Sequence, residues 1–412
     1  MHADLIAIGS ELVSGHTINS NAAYLARRLG ALGIACRHHL VIGDDRDLII
    51  QTVRAALASA ELVIATGGLG PTCDDITMEA IAEAVQRPLV LAPAIVQQIR
   101  AFYRARKRPL DQAALRQAYL PRGGVALANA IGTAPGLWLE LDGRTVVALP
   151  GVPQEMRTIM ENHVLSRLSR ARRHPILSRT IRTIGMVELD IQAALKKMAI
   201  PSEVIVGLYP HLRAVDLRFT IHDQSRAKAA HMLDRLERAA RRWLGEAVYG
   251  IDEQTLEGVI GQRLVRRHLT LAVAESCTGG LVADRLTNVP GSSRYLLLGV
   301  VAYHNRMKET LLDVPSRLLT RYGAVSAQVA SAMANGVRTR ARADLGIGIT
   351  GIAGPTGGTA AKPVGLVYLA ISDAKRTEAR EFRLHGDRLS IKYQTSQIAL
   401  DWLRHWVTSA HR

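Results

Sequence analysis

Cysteine is scarce: Cys36, Cys73 and Cys277 are the three in 412 residues, and no two stand as Cys-x-x-Cys. That excludes a disulfide-framed scaffold and a zinc ribbon. Aromatic residues make up 4% of the chain, which leaves few platforms on which nucleic-acid bases stack. Long apolar runs are missing too. The uncharged stretch Gly123–Leu139 is 17 residues long, but Gly123, Gly124, Gly132, Pro135 and Gly136 break it, and it is too short to span a bilayer. The opening MHADLIAIGSEL carries Asp4 and Glu11 where a secretory leader needs positive charge before an apolar run. A cytoplasmic protein with no membrane segment is expected.

What is present describes a multidomain globular chain. Hydrophobic residues are 48% and charged residues 21%, close to globular averages. At this length one hydrophobic core gives way to several. The formal net charge is +16, unevenly spread. Residues 1–167 hold 16 Lys/Arg against 15 Asp/Glu, residues 168–252 hold 15 against 9, and residues 253–412 hold 21 against 12. The basic runs Arg104-Ala-Arg106-Lys107-Arg108 and Arg170-Ala-Arg172-Arg173 suit phosphate contacts, yet such runs are more often solvated helix faces. With so few aromatics, nucleic acid is not the expected partner.

Apolar periodicity divides the chain. In residues 1–167, Leu5–Ile8 reads as a strand. Ala22, Leu25, Ala26 and Leu29 recur at helical spacing, and Gly33 closes that helix. Residues 34–42 are extended, Arg46–Ser59 helical, Glu61–Ala65 a buried strand, and a further helix starts at Thr77. Residues 168–252 begin with an Arg-rich linker at 170–174 and Pro175. A strand, a helix around Asp190–Met198, two strands (Val204–Leu208 and Ala214–Ile221) and a helix over Gln224–Leu244 follow, with no reactive cluster. Residues 253–412 alternate again, from a helix at Thr255–His268 and a strand at Leu269–Ala274. The expected class is α/β: two three-layer domains with mostly parallel sheets, joined by a small α+β middle domain.

Four clusters can carry chemistry. Ala274-Glu275-Ser276-Cys277-Thr278-Gly279-Gly280 lies between a strand and a helix, where backbone N–H groups and the helix dipole stabilise an oxyanion. Ser276 there is either a nucleophile or a helix cap, and Cys277 is a rival nucleophile or a small buried hydrophobe. Tyr303-His304-Asn305-Arg306-Met307-Lys308 follows the strand Leu296–Ala302, on the edge where open α/β sheets bind ligands. Desolvated there, Lys308 can serve as a base. Gly351, Gly354, Gly357 and Gly358 put four glycines in eight positions after Thr350, which lets backbone amides approach an anion. The loop is neither Gly-Lys-Ser/Thr nor Gly-x-Gly-x-x-Gly, so no motif points to ATP or NAD. In the first domain, Gly67, Gly68, Gly70, Thr72, Asp74, Asp75 and Thr77 join a glycine loop to two carboxylates, which suits a phosphorylated ligand bridged by a divalent ion. Asp75 and Thr77 are alternatively caps of the next helix. His38-His39 has no partners at metal-ligand spacing. Gly258-Val259-Ile260-Gly261 matches the Gly-x-x-Gly of KH RNA modules but sits inside a helical pattern.

Together these clusters resemble the competence/damage-inducible protein A (CinA) family over essentially the whole chain. Residues 1–167 look like the MoaB/MogA type of molybdopterin-binding fold, through Gly9-Ser10-Glu11, Ser20-Asn21-Ala22, Thr66–Thr72, Asp74–Thr77, Gly132–Gly136 and Leu149–Met156. Residues 253–412 look like the nicotinamide-nucleotide amidohydrolase domain, through Ala274–Gly280, Tyr303–Lys308, Gly323–Ser326, Thr350–Gly358, Lys362–Gly365 and Gly386-Asp387-Arg388. In the middle, Leu189 stands where the family pattern has Ser. The resemblance implies hydrolysis of nicotinamide mononucleotide to nicotinate mononucleotide and ammonia, with no cofactor. Ser276, Lys308 and Tyr303 would be catalytic, and Thr278, Gly279, Gly280, Asn305, Thr350, Gly351, Gly354, Gly357, Gly358 and Arg388 would bind substrate. It further implies an ADP-ribose pyrophosphatase in the first domain, with a ligand site of Glu11, Asn21, Gly67, Gly68, Gly70, Thr72, Asp74, Asp75, Thr77, Pro150 and Gly151. There Asp74 and Asp75 would hold a divalent cation. A homodimer is expected. Two other readings stand beside these: a pterin- or nucleotide-binding sensor, and a competence-associated DNA-interacting protein without hydrolase activity.

Overall fold

The computed structural model describes residues 1–170, 176–222 and 225–409. The linker expected at 170–174 and Pro175, apart from the helix end at Arg170, and Gln224 at the expected helix start lie outside them. Two compact units are formed: Met1–Leu177 with Ile221–Ala230, and Ser178–Thr220 with His231–Arg412.

In the first unit, strands β1 (His2–Ile8), β2 (Ala35–Ile42) and β3 (Leu62–Thr66) come first. A small antiparallel pair, β4 (Leu89–Leu91) and β5 (Tyr119–Pro121), lies apart from the main sheet. Strands β6 (Val125–Leu127), β7 (Gly136–Leu141) and β8 (Arg144–Leu149) complete it. The main sheet runs β2-β1-β3-β8-β7-β6. Its first four strands are parallel, and β7 and β6 are antiparallel. Alternate residues of β1 feed opposite cores. Leu5 packs with Leu25 and Leu29 of the helix Ser20–Ala31, whereas Ile6 and Ile8 pack with Ile49 and Val53 of the helix Arg46–Ser59. The two crossover helices therefore cover opposite faces, and the chain reverses its winding between β1 and β3. That reversal is where open α/β sheets leave a crevice.

The middle residues form a four-stranded sheet from β9 (Ile176–Thr183), β10 (Val204–His211), β11 (Ala214–His222) and β12 (Val248–Ile251), ordered β10-β11-β9-β12. The last sheet contains β13 (Leu271–Glu275), β14 (Leu296–Val301), β15 (Leu345–Gly351), β16 (Leu366–Ser372) and β17 (Thr377–Arg383), ordered β14-β13-β15-β16-β17. Winding reverses at β13: Val282 and Leu286 of the helix Leu281–Thr287 pack on one face, and Leu312, Val329 and Met333 on the other. Strands β14, β13 and β15 are parallel, while β16 and β17 are antiparallel. The α/β sheets expected from sequence thus each join a parallel run to an antiparallel edge. Residues 352–365 return as a loop with no crossover helix, so β16 runs back against β15. Asp373 then turns β16 into β17 by accepting from the amides of Lys375 and Arg376.

Glycine decides one packing distance here. A Cβ on Gly346 would lie 2.1 Å from the Ala334 carbonyl, and one on Gly348 2.2 Å from that of Ala330. Both carbonyls belong to the helix Ala327–Ala341, so its backbone rests directly on β15. Among the described residues no helix is long and apolar enough to cross a membrane.

Candidate functional site

Strand β13 delivers Ser276 to the carboxyl edge of its sheet, at the reversal of winding. The helix does not start at Ser276, as the sequence suggested, but at Leu281. Gly279 and Gly280, with φ of +61° and +91°, hold the intervening turn in a conformation that costs other residues about 1–2 kcal/mol. The first helical amides are also taken: the buried carboxylate of Glu275 accepts from Val282 at 3.1 Å and Ala283 at 2.8 Å. Ser276 is therefore no cap of that helix. Among the described residues the amides of Cys277, Thr278 and Gly280 bond to no backbone carbonyl, and they can receive an oxyanion. Thr278 is fully buried with its hydroxyl unpartnered.

Lys308, on the helix Asn305–Leu312, is 1% exposed. Its Nζ donates to Ser276 Oγ at 3.2 Å, to the Ala302 carbonyl at 2.9 Å and to the Tyr303 carbonyl at 3.0 Å. Burial holds its pKa below the ordinary lysine value, opposed by the neighbouring Cys277. Once the ammonium loses a proton, two N–H groups stay on the two carbonyls and the lone pair faces Ser276 Oγ. That is the geometry of a base activating a hydroxyl. Burial pushes the Cys277 thiol up to about 12, and the charge of Glu275 adds to the effect; the thiol is a protonated core group.

Arg388 ties the other clusters together. One guanidinium nitrogen donates to the Gly354 carbonyl at 2.7 Å, the other to the Tyr303 hydroxyl at 2.9 Å. The glycine loop, the strand end and the last helix thus meet where Lys308 bonds the Tyr303 backbone. Thr350 is buried and its hydroxyl donates to the Ala324 carbonyl at 2.8 Å, which orders the neighbouring turn. Gly351 closes β15, while Asn305, Gly357 and Gly358 are exposed. Two residues gain a role only from the structure. One is Glu275, whose cap reaches seven and eight residues ahead, beyond any local capping pattern. The other is Lys392, whose Nζ would lie 3.4 Å from a Cβ on Gly279 and whose spacing of four from Arg388 was the available signal.

In the first unit a cleft of about 430 Å³ opens where β1, β3 and β8 end. It is lined by Glu11, Asn21, Gly67, Gly68, Gly70, Asp74, Asp75, Pro150 and Gly151 among others. Gly67, at φ +101°, has no room for a side chain, since a Cβ would meet the Ile8 carbonyl at 2.1 Å. Thr72 shapes the loop instead of lining the cleft. Its hydroxyl donates to Asp74 and, at 2.5 Å, to Asp75, and its amide donates to Asp75 at 2.9 Å. The bond from Thr72 lowers the pKa of the exposed Asp74. Thr77 is buried behind the loop, its amide on the Gly68 carbonyl. Asn21 donates to the Gly151 carbonyl at 2.7 Å and leaves its own oxygen unpartnered. Glu11, Asp44, Asp74, Asp75 and Glu155 all line this cleft, yet among the described residues no three His, Cys, Asp or Glu side chains group to hold a metal ion.

Residues 253–407 match the domain model described as "CinA C-terminal domain", and residues 4–170 the one described as "Probable molybdopterin binding domain". Over 405 residues the chain is 42% identical to a competence-damage inducible protein of Caldicellulosiruptor bescii, with 98% of each chain covered. The chain belongs to the CinA family. A Moorella thermoacetica protein of the same description is 44% identical over 402 residues, covering 97% of each. The crystal structure of competence/damage inducible protein CihA from Agrobacterium tumefaciens is 39% identical, covers 37% of this chain and 96% of its own, and gives a TM-score of 0.35. Residues 178–250 match the family's "Damage-inducible protein CinA KH domain". From its residues alone this stretch reads only as an α+β unit. The reason is that Gly185, Gly207, Gly245 and Gly250 are its glycines, so it has no Gly-x-x-Gly. The Gly258–Gly261 match lies within the helix Leu256–Arg266, outside the KH residues.

Proposed function

We propose that the Ser276–Lys308 site hydrolyses the carboxamide of nicotinamide mononucleotide. The observation that carries this is the buried Lys308 Nζ, 3.2 Å from Ser276 Oγ, with two carbonyls aligning its remaining hydrogens. Ser276 Oγ attacks the carboxamide carbon as its proton passes to Lys308. The oxyanion rests on the amides of Cys277, Thr278 and Gly280. Lys308 returns the proton to the leaving nitrogen, ammonia departs, and water repeats the sequence on the acyl ester. Arg388, Tyr303 and the glycine loop supply the charge and hydrogen bonds for the nucleotide's phosphate and sugar. Ammonia release from nicotinamide mononucleotide by the full chain, abolished in Ser276→Ala, is the expected result; full activity in Ser276→Ala would overturn the assignment.

The five-carboxylate cleft favours a second activity, ADP-ribose hydrolysis with a divalent cation. No Lys or Arg is among its lining residues, so a pyrophosphate needs a cation brought with it. Asp74 and Asp75 each keep one oxygen outside their bonds to Thr72, and these would hold the ion. The ion would neutralise the charge that develops on the pyrophosphate oxygens. Hydrolysis that requires added metal and vanishes in Asp75→Asn supports this; metal-independent hydrolysis that survives the substitution sinks it.

A further inference from the structure

A cavity of about 300 Å³ lies in the second unit, on the far side of the sheet order from β14, and neither proposed activity uses it. Its apolar wall is Phe382, Ile398, Trp402 and Trp406, and its rim carries Arg213, Arg376 and Arg380. Two of the chain's four tryptophans are therefore here. Their rings sit edge to face with centroids 6.1 Å apart. The Arg376 guanidinium lies 4.2 Å over Trp406 and that of Arg380 4.4 Å over Trp402. Each indole thus carries a guanidinium over its ring, and a guanidinium plane can itself stack with a further planar group.

The charges are not balanced. Glu378 pairs with Arg380 at 2.7 Å, and Asp401 with the buried Arg404 at 2.7 Å. Arg213 and Arg376 enter no salt bridge within 4.0 Å among the described residues, although the Asp373 carboxylate feels the charge of Arg376. The unpaired Arg213 and the Trp406-stacked Arg376, beside an aromatic wall, match a planar ring joined to a phosphate. The volume is at the small end of ligand sites and fits a base with its sugar, leaving the phosphate at the rim. We propose that this cavity is a second ligand site, for a mononucleotide, distinct from the Ser276 site. The helix Arg388–Ser409 connects the two. Arg388 stands at one and Trp406 at the other, about 27 Å apart along a helix rising 1.5 Å per residue.

The proposal is independent of the deamidase reading, and its test is a binding measurement on the full chain with AMP, adenosine and inorganic phosphate as probes. AMP is expected to bind, with adenosine and phosphate each weaker. Arg376→Ala and Arg213→Gln should each weaken AMP roughly tenfold, the loss of one charge-assisted contact. Arg213 is exposed, so Arg213→Gln still carries the test if Arg376→Ala unfolds. Arg388→Ala, at the Ser276 site, should bind AMP as the parent does. No AMP binding at millimolar concentration overturns the proposal. So does binding lost in Arg388→Ala but kept in Arg213→Gln, or phosphate binding as tight as AMP.

Discussion

Lys308 shows how one buried side chain sets a reaction's pH range. Its neutral form is the base, and burial brings its pKa below the usual lysine value. Turnover should therefore fall as pH drops through that lowered value, where the amine protonates, and level off above it. A pH profile of kcat/KM on nicotinamide mononucleotide measures this, and a profile flat down to pH 5 would contradict it. Lys308→Met should lose at least about 100-fold in kcat, the scale of general-base catalysis. Lys308→Arg should fail as well, because guanidinium keeps its proton. Cys277→Ala should stay largely active, since that thiol is protonated and buried. A dead Cys277→Ala beside an active Ser276→Ala would reassign the nucleophile.

At the scale of elements, strand β15 and the helix Ala327–Ala341 meet backbone to backbone. Gly348→Ala places a methyl where the Ala330 carbonyl stands, so stability should fall by about 1–3 kcal/mol, the cost of overpacking. Urea unfolding reads that loss, and an unchanged midpoint would mean the helix shifts without cost. The first-domain elements were legible in the sequence because apolar period and caps agree. Gly33, for instance, takes φ +66° as a closing residue should. The antiparallel β16 and β17 were not legible, because direction depends on how the 352–365 loop returns and not on the strand's own residues. The Ser276 and Lys308 candidates stood out as chemical types beside strand ends. Their 3.2 Å contact did not, since it joins residues 32 apart through the pairing of β13 with β14.

Across the whole molecule the same device occurs twice: each large sheet reverses its winding, and a glycine loop with reactive side chains stands at the reversal. The two sites rest on separate sheets, so Asp75→Asn should remove ADP-ribose hydrolysis and leave ammonia release unchanged; a parallel loss of both activities would show that the sites are coupled. The basic excess in residues 168–412 allows a different check. If the chain contacts nucleic acid through several phosphates, affinity should fall steeply and log-linearly with salt, and a flat response would remove that role. The three cysteines also differ in a practical way. Cys277 is buried, and Cys36 is half-buried with its thiol pushed up to about 11 by burial and by Asp4. Cys73 is exposed and precedes Asp74. The unaltered chain thus offers one accessible handle for a maleimide dye, at the mouth of the carboxylate cleft, where fluorescence would report ligand arrival without engineering.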